Sequence, residues 1–227
     1  MKKFKNKKCF AFTLAEVLMV MGILGVVAAI TIPNLNKDIG DQERVAKVQT
    51  VATDIEQAYK VALRKYEDNW DNTSYGPRIL EFMQTKRTCD ISSDDSCFKD
   101  SNIKIYNNSS KTVSFTAGTA AIFNDGSSIY FYPETLSGSI SEFNGLSDAK
   151  QLVYFDIDGP DKGFNTLGVD IFSIILNDTG LLIPSINYFK DGDAAYRNID
   201  YTYWILKYGN ADYLHCSDLS ESKTTCN

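Results

Sequence analysis

The chain has 227 residues, 44% of them hydrophobic, and a formal net charge of −6. That length and apolar content suffice for one well-packed domain or two small ones. The acidic balance argues against direct nucleic-acid binding, which needs a basic footprint.

The charge is unevenly placed. The first 11 residues hold five lysines (Lys2, Lys3, Lys5, Lys7, Lys8) and no acid, and the rest carries 18 basic against 29 acidic residues, a net −11. Next comes an apolar run from Phe12 to Ile32, 21 residues whose one charge is Glu16. As a helix this run measures about 31 Å at ~1.5 Å per residue, enough to cross a bilayer core. A lysine cluster ahead of an apolar span holds its own end in the cytoplasm, so everything after Pro33 is expected to be exported. A cleaved secretory signal with small residues near Ala28 and Ala29, or a plain signal anchor, would also fit a basic start and an apolar run. Neither gives Glu16 a purpose, although a carboxylate in such a span costs on the order of 3 kcal/mol to insert.

The stretch Ala11-Phe12-Thr13-Leu14-Ala15-Glu16, after its basic leader, resembles the processing motif of type IV prepilins and type II secretion pseudopilins. The resemblance is dense over residues 7–33, where Gly25 and Pro33 fall at a glycine and a helix-bending proline common in that family. It departs at Ala11, where the family usually has glycine. It implies removal of residues 1–11 by a prepilin peptidase, cleavage between Ala11 and Phe12, and methylation of the new amino group of Phe12. It also implies partners, namely other pilin or pseudopilin subunits and inner-membrane assembly proteins. The location would be the inner (cytoplasmic) membrane as a single-pass precursor, with the head in the periplasm or at the cell surface. In a low-dielectric helix bundle an unpaired ion is heavily penalised, so Glu16 pairing with the Phe12 ammonium of a neighbour would select one axial register. Capping of its own helix is the competing use of a carboxylate in a first turn.

Pro33 removes a backbone donor and is expected to bend the helix. Beyond it, Val48, Val51, Ile55, Tyr59, Ala62 and Tyr66 recur at three- and four-residue steps, with Lys47, Asp54, Glu56, Lys60 and Arg64 opposite. Helix is therefore expected from Phe12 to about Glu67, weakest around Pro33 to Gly40. After Tyr75 the pattern changes. The stretches 111–133, 151–159 and 170–185 read as short strands, with turns at Asn124-Asp125-Gly126 and Asn177-Asp178-Thr179-Gly180. Residues 84–111 read as a surface excursion, and the tail after Ile199 fits a final strand or a short helix. The expected fold is α+β, a long N-terminal helix packed on an antiparallel sheet. Its parts are a basic leader (1–11), a membrane and assembly half of the helix (12–33), an amphipathic half (34–70) and an exported β-rich head (71–227).

Besides Cys9 there are four cysteines: Cys89, Cys97, Cys216 and Cys226. In an oxidising compartment they invite pairing, most economically as Cys89–Cys97 and Cys216–Cys226. Three connectivities stay open. Their spacings do not suit zinc. Residues 156–170 gather Asp156, Asp158, Asp161, Asn165 and Asp170 among three glycines, oxygen donors of the type calcium takes. No bidentate glutamate completes an EF-hand, and a glycine-kinked turn with side-chain caps is the favoured reading, calcium the alternative. Tyr130, Tyr132, Tyr154, Tyr201, Tyr203 and Trp204 read as core pairs before they read as a sugar-binding stripe. The single histidine, His215, stands beside Cys216, and no nucleophile-elbow or phosphate-cradling motif is present.

The expected function is thus a non-enzymatic, pilin-like structural subunit of a pilus or pseudopilus. The alternative is a minor pilin acting as a displayed binding or adhesion module. A membrane-anchored enzyme ranks last.

Overall fold

The computed structural model describes residues 13–67, 70–71, 73–98, 103–106, 108–133, 149–182 and 197–226, without the side chains of 30–39, 95, 108–111, 181–182 and 197–200. The chain divides into two compact units, Met1–Asp41 and Gln42–Asn227. Helix α1, Leu14–Tyr66, contributes to both, and its helical assignment is not interrupted at Pro33 or Gly40.

In the first unit the large apolar side chains described are exposed all round the helix, Leu14 at 79% and Met19 at 70% among them. Among the described residues no helix is long and apolar enough to cross a membrane. The apolar run of the sequence extends to Ile32, and its side chains beyond Ala29 lie outside the described residues.

In the second unit α1 buries the stripe its periodicity predicts. Val48, Ile55, Tyr59 and Ala62 are buried, Val51 and Tyr66 half-buried, while Asp54, Lys60 and Arg64 face water. The helix ends in an aromatic knot: the Tyr59 and Tyr66 rings stand edge-on to Trp70, whose ring lies 4.8 Å from Tyr75. A short helix, α2 (Tyr75–Leu80), follows and leads into the sheet.

Among the described residues nine strands make one sheet: β1 (Thr85–Asp90), β2 (Ile103–Ile105), β3 (Asn108–Val113), β4 (Thr119–Phe123), β5 (Ser128–Phe131), β6 (Ala149–Asp156), β7 (Thr166–Leu167), β8 (Ile171–Asn177) and β9 (Gly180–Leu182). The order is β1-β4-β5-β6-β8-β7-β2-β3, with β9 also on β8. The architecture is α+β and the sheet mostly antiparallel. Both expected turns are present, 124–127 between β4 and β5 and Asp178-Thr179 between β8 and β9. The β2–β7 and β7–β8 pairings are parallel, against the expectation of a wholly antiparallel sheet.

Side-chain alternation puts the two faces of the sheet into two cores. Ile129, Phe131, Val153, Phe155, Phe172 and Ile174 lie under the helices, together with Trp204 of α3 (Arg197–Tyr208). Tyr130, Leu152, Tyr154, Ile171 and Ile175 fill the opposite face. That second face is covered by part of the segment expected to be a surface excursion: Cys97, Phe98 and Ile103 are fully buried there. Residues 84–111 instead supply β1, β2 and the start of β3. Their strands of three to six residues are too short and too polar to show a period, and tertiary pairing decides them. The ambiguous tail is helix α3, in which Tyr201, Trp204 and Ile205 are buried at helical spacing. Tyr130, Tyr154, Tyr201 and Trp204 are core residues, as the favoured reading held.

Both disulfides follow the local scheme. Cys89–Cys97 and Cys216–Cys226 each bridge Cα atoms 5.9 Å apart.

Candidate functional site

The N-terminal motif begins where α1 begins. Thr13 precedes the first helical residue, and its side chain and that of Glu16 bond each other's backbone. The Thr13 N–H donates to Glu16 Oε2 at 2.8 Å, and the Glu16 N–H donates to Thr13 Oγ1 at 3.3 Å. The Thr13 hydroxyl also donates to Glu16 Oε2 at 2.8 Å. This is a capping box, in which two backbone donors of the first turn are satisfied reciprocally. Thr-x-x-Glu ahead of an apolar run is the sequence signal for this cap. Ala11 and Phe12, the expected processing residues, lie outside the described residues. Pro33 lies within α1, and its side chain is outside them as well.

The Asp-rich segment closes the end of the sheet against α1. Asp156 ends β6 and is 1% exposed; its Oδ1 accepts from the N–H groups of Asp158 at 2.9 Å and Gly159 at 2.8 Å. Its Oδ2 is buried with no hydrogen-bond partner. Burial pushes its pKa up to about 7, against those two hydrogen bonds and with help from Asp170 and Asp158. Asp170, also buried, gathers three successive N–H groups. Asn165 donates to Oδ2 at 2.8 Å, Thr166 to Oδ1 at 2.6 Å, and Phe164 to Oδ2 in a still shorter bond. Burial pushes the pKa of Asp170 up as well, against these bonds.

Two glycines make this packing possible. A Cβ on Gly163 would sit 2.4 Å from Asp170 Oδ2, and one on Gly159 would sit 2.0 Å from the Gly126 carbonyl oxygen. Both have positive φ, 69° and 89°. Asn165 adopts φ 45°, which suits asparagine better than most residues.

Helix α1 holds the loop from the other side. Lys47 Nζ reaches Asp158 Oδ1 at 3.1 Å, and Arg44 Nε donates to the Val169 carbonyl at 2.7 Å. Partial burial lowers the Lys47 pKa, but bonding to Asp158 and Glu43 outweighs it and the net shift is upward.

The five residues considered for calcium are thus only partly brought together. Asp156 and Asp170 converge but turn oxygens to backbone donors, Asp158 meets a lysine, Asp161 is exposed, and Asn165 shapes the turn. Among the described residues no group of three or more His, Cys, Asp or Glu is placed to hold a metal ion. The segment is built as a capped turn, in which Asp156 Oδ2 and Asn165 Oδ1 are buried without a hydrogen-bond partner.

The prokaryotic N-terminal methylation motif, the type IV pilin and pseudopilin signature, matches residues 6–32. No curated protein and no solved structure matches the chain.

Proposed function

From the N-terminal methylation motif as premise, we propose that the chain is a pilin-like structural subunit of a type IV pilus or a type II secretion pseudopilus. It would be made as a membrane precursor held by residues 12–33, with its head exported. A prepilin peptidase would cut between Ala11 and Phe12, and the new amino terminus would be methylated. Its work is mechanical and not enzymatic: subunits are added to and withdrawn from a fibre.

The motif over residues 6–32 carries this reading. The geometry beside it is in keeping. A helix apolar on every side is stable only inside lipid or a helix bundle, and the side chains from Leu14 to Val27 have that character apart from Glu16. In the single chain Glu16 rests on Thr13. In a polymer the same carboxylate would turn to the Phe12 ammonium of a neighbour, exchanging its bonds to Thr13 for an ion pair in a dry bundle. The two disulfides suit an exported head.

Intact-mass analysis of the N-terminal peptide from membranes tests the reading. Loss of residues 1–11 together with one added methyl group is expected. A chain that retains Met1, or is trimmed near Ala29, overturns it. The abundance of the chain in sheared filaments separates a major subunit from a scarce displayed binding module.

A further inference from the structure

Among the described residues of the second unit, only two large hydrophobic side chains are markedly exposed: Phe164 at 78% and Val61 at 43%. They belong to complementary features. Phe164 is a protrusion. It sits in the loop between β6 and β7, and its backbone is fixed by the Asp170 carboxylate, which takes the N–H groups of residues 164, 165 and 166. Anchoring three successive donors on one buried side chain leaves the ring little freedom other than its own rotamers. A rigid exposed aromatic loses little entropy when it is buried by a partner, which is what makes such residues interface anchors.

Val61 belongs to a recess. It lines a groove of about 610 Å³ between the second half of α1 and the β4–β5 hairpin, walled by Val51, Ala58, Phe82 and Phe123. The charged side chains on this lining are both acids, Asp54 from the helix and Asp125 from the hairpin turn, and neither is in an ion pair among the described residues. Among the described residues Asp125 accepts from the N–H and hydroxyl of Ser127. The protrusion carries the opposite charge. Lys162 stands two residues from Phe164, exposed and in no ion pair among the described residues.

We propose that this groove receives the Phe164 loop of a second copy of the chain, with the ring on the apolar floor and the Lys162 ammonium between Asp54 and Asp125. Each head carries both a knob and a hole, on different elements. A contact of this heterologous kind propagates from copy to copy instead of closing on itself. The inference rests on the polymer reading and adds a second contact to it, between heads, where that reading names only helices.

The test uses the full chain in cells, expressed in two differently tagged forms, with a benzophenone-bearing amino acid in place of Phe164. Irradiation is expected to give an adduct joining the two tags, with the cross-linked peptide mapping to residues 50–61, 82–84 or 123–127 of the other copy. Asp54→Lys should cut the yield at least fivefold, and Lys162→Glu on the photoreactive copy should restore it when paired with Asp54→Lys. Phe164→Ala, at an exposed site, should leave the melting temperature unchanged. No inter-tag adduct, or adducts mapping elsewhere, overturns the inference. The N-terminal mass measured on the same sample tells whether the polymer reading falls with it: a cut and methylated Phe12 without the adduct removes the head contact alone.

Discussion

One helix lives under two regimes. Between Leu14 and Val27 the apolar side chains of α1 are exposed all round, while between Val45 and Ala62 most of the apolar side chains form one buried stripe against the chain's own sheet. The first part is apolar without a period, and the second is amphipathic. A helix of the second kind is finished by folding, whereas one of the first kind is finished only by other molecules. Mutations in the two parts should therefore fail in different assays, and that divergence is what can be broken or sharpened.

The largest effect is expected at Glu16. A capping box accepts glutamine as well as glutamate at this position, so Glu16→Gln keeps the bond to Thr13 and removes only the charge. If the charge serves assembly, Glu16→Gln should abolish filament incorporation as completely as Glu16→Ala. Leaving one ion of a buried pair uncompensated costs about 3–5 kcal/mol, roughly a hundredfold or more in association. Sheared-filament yield checks this. Normal filaments from Glu16→Gln would reduce Glu16 to a helix cap.

The same comparison can be made with paired truncations. Ile55 is fully buried and Leu18 is 61% exposed on one and the same helix. Ile55→Ala should destabilise the head by about 2–5 kcal/mol, the usual range for an emptied core site. Leu18→Ala should leave the melting temperature of the head unchanged in detergent and lower only filament yield. Equal melting curves for the two variants would erase the distinction between the halves.

A smaller effect, confined to the second unit, comes from Asp156. Its pKa is raised to about 7 in the folded state, against about 3.9 for an unfolded aspartate. The folded state therefore holds the proton more tightly. The contribution to stability is complete below about pH 4 and is lost as pH rises through about 7. Melting should fall from pH 5 to pH 8 by an amount on the order of 2–4 kcal/mol. Asp156→Asn keeps the Oδ1 acceptor for the two turn donors and replaces the unpartnered oxygen, so it should flatten most of that slope and stabilise the head at pH 8. Asp170, shifted in the same direction, leaves a residue of it. A wild-type curve that is flat between pH 5 and 8 would contradict the account.

The sequence was informative where a period or a local motif decides the structure. The stripe from Val48 to Tyr66 carried the helix and its buried face, the Asn-Asp-Gly and Asp-Thr turns carried two hairpins, and cysteine spacing carried both disulfides. Thr13 was legible too, in the Thr-x-x-Glu spacing ahead of an apolar run. Other features depend on tertiary pairing. The short strands β2 and β7 meet in parallel across some 60 residues, with no local pattern to announce them. The groove is equally hidden, because its walls come from 50–61, 82–84 and 123–127.

The Asp-rich loop shows how composition and geometry part company, and it supports the smallest effect. Five oxygen-bearing residues within 15 positions resemble a calcium loop, yet a cation needs oxygens free to converge on one point. Here Asp156 and Asp170 accept five backbone N–H groups between them, and Asp158 already faces the Lys47 ammonium. A divalent ion would have to break those caps and displace the lysine to gather more than Asp156 Oδ2 and Asn165 Oδ1, two buried oxygens without a hydrogen-bond partner. Adding calcium to the metal-stripped chain should therefore produce no resolvable change in melting temperature. A ligand held by the folded state alone would raise it by an amount growing with the logarithm of its concentration, so a rise of that form, abolished by Asp170→Asn, would show that the loop opens to a cation.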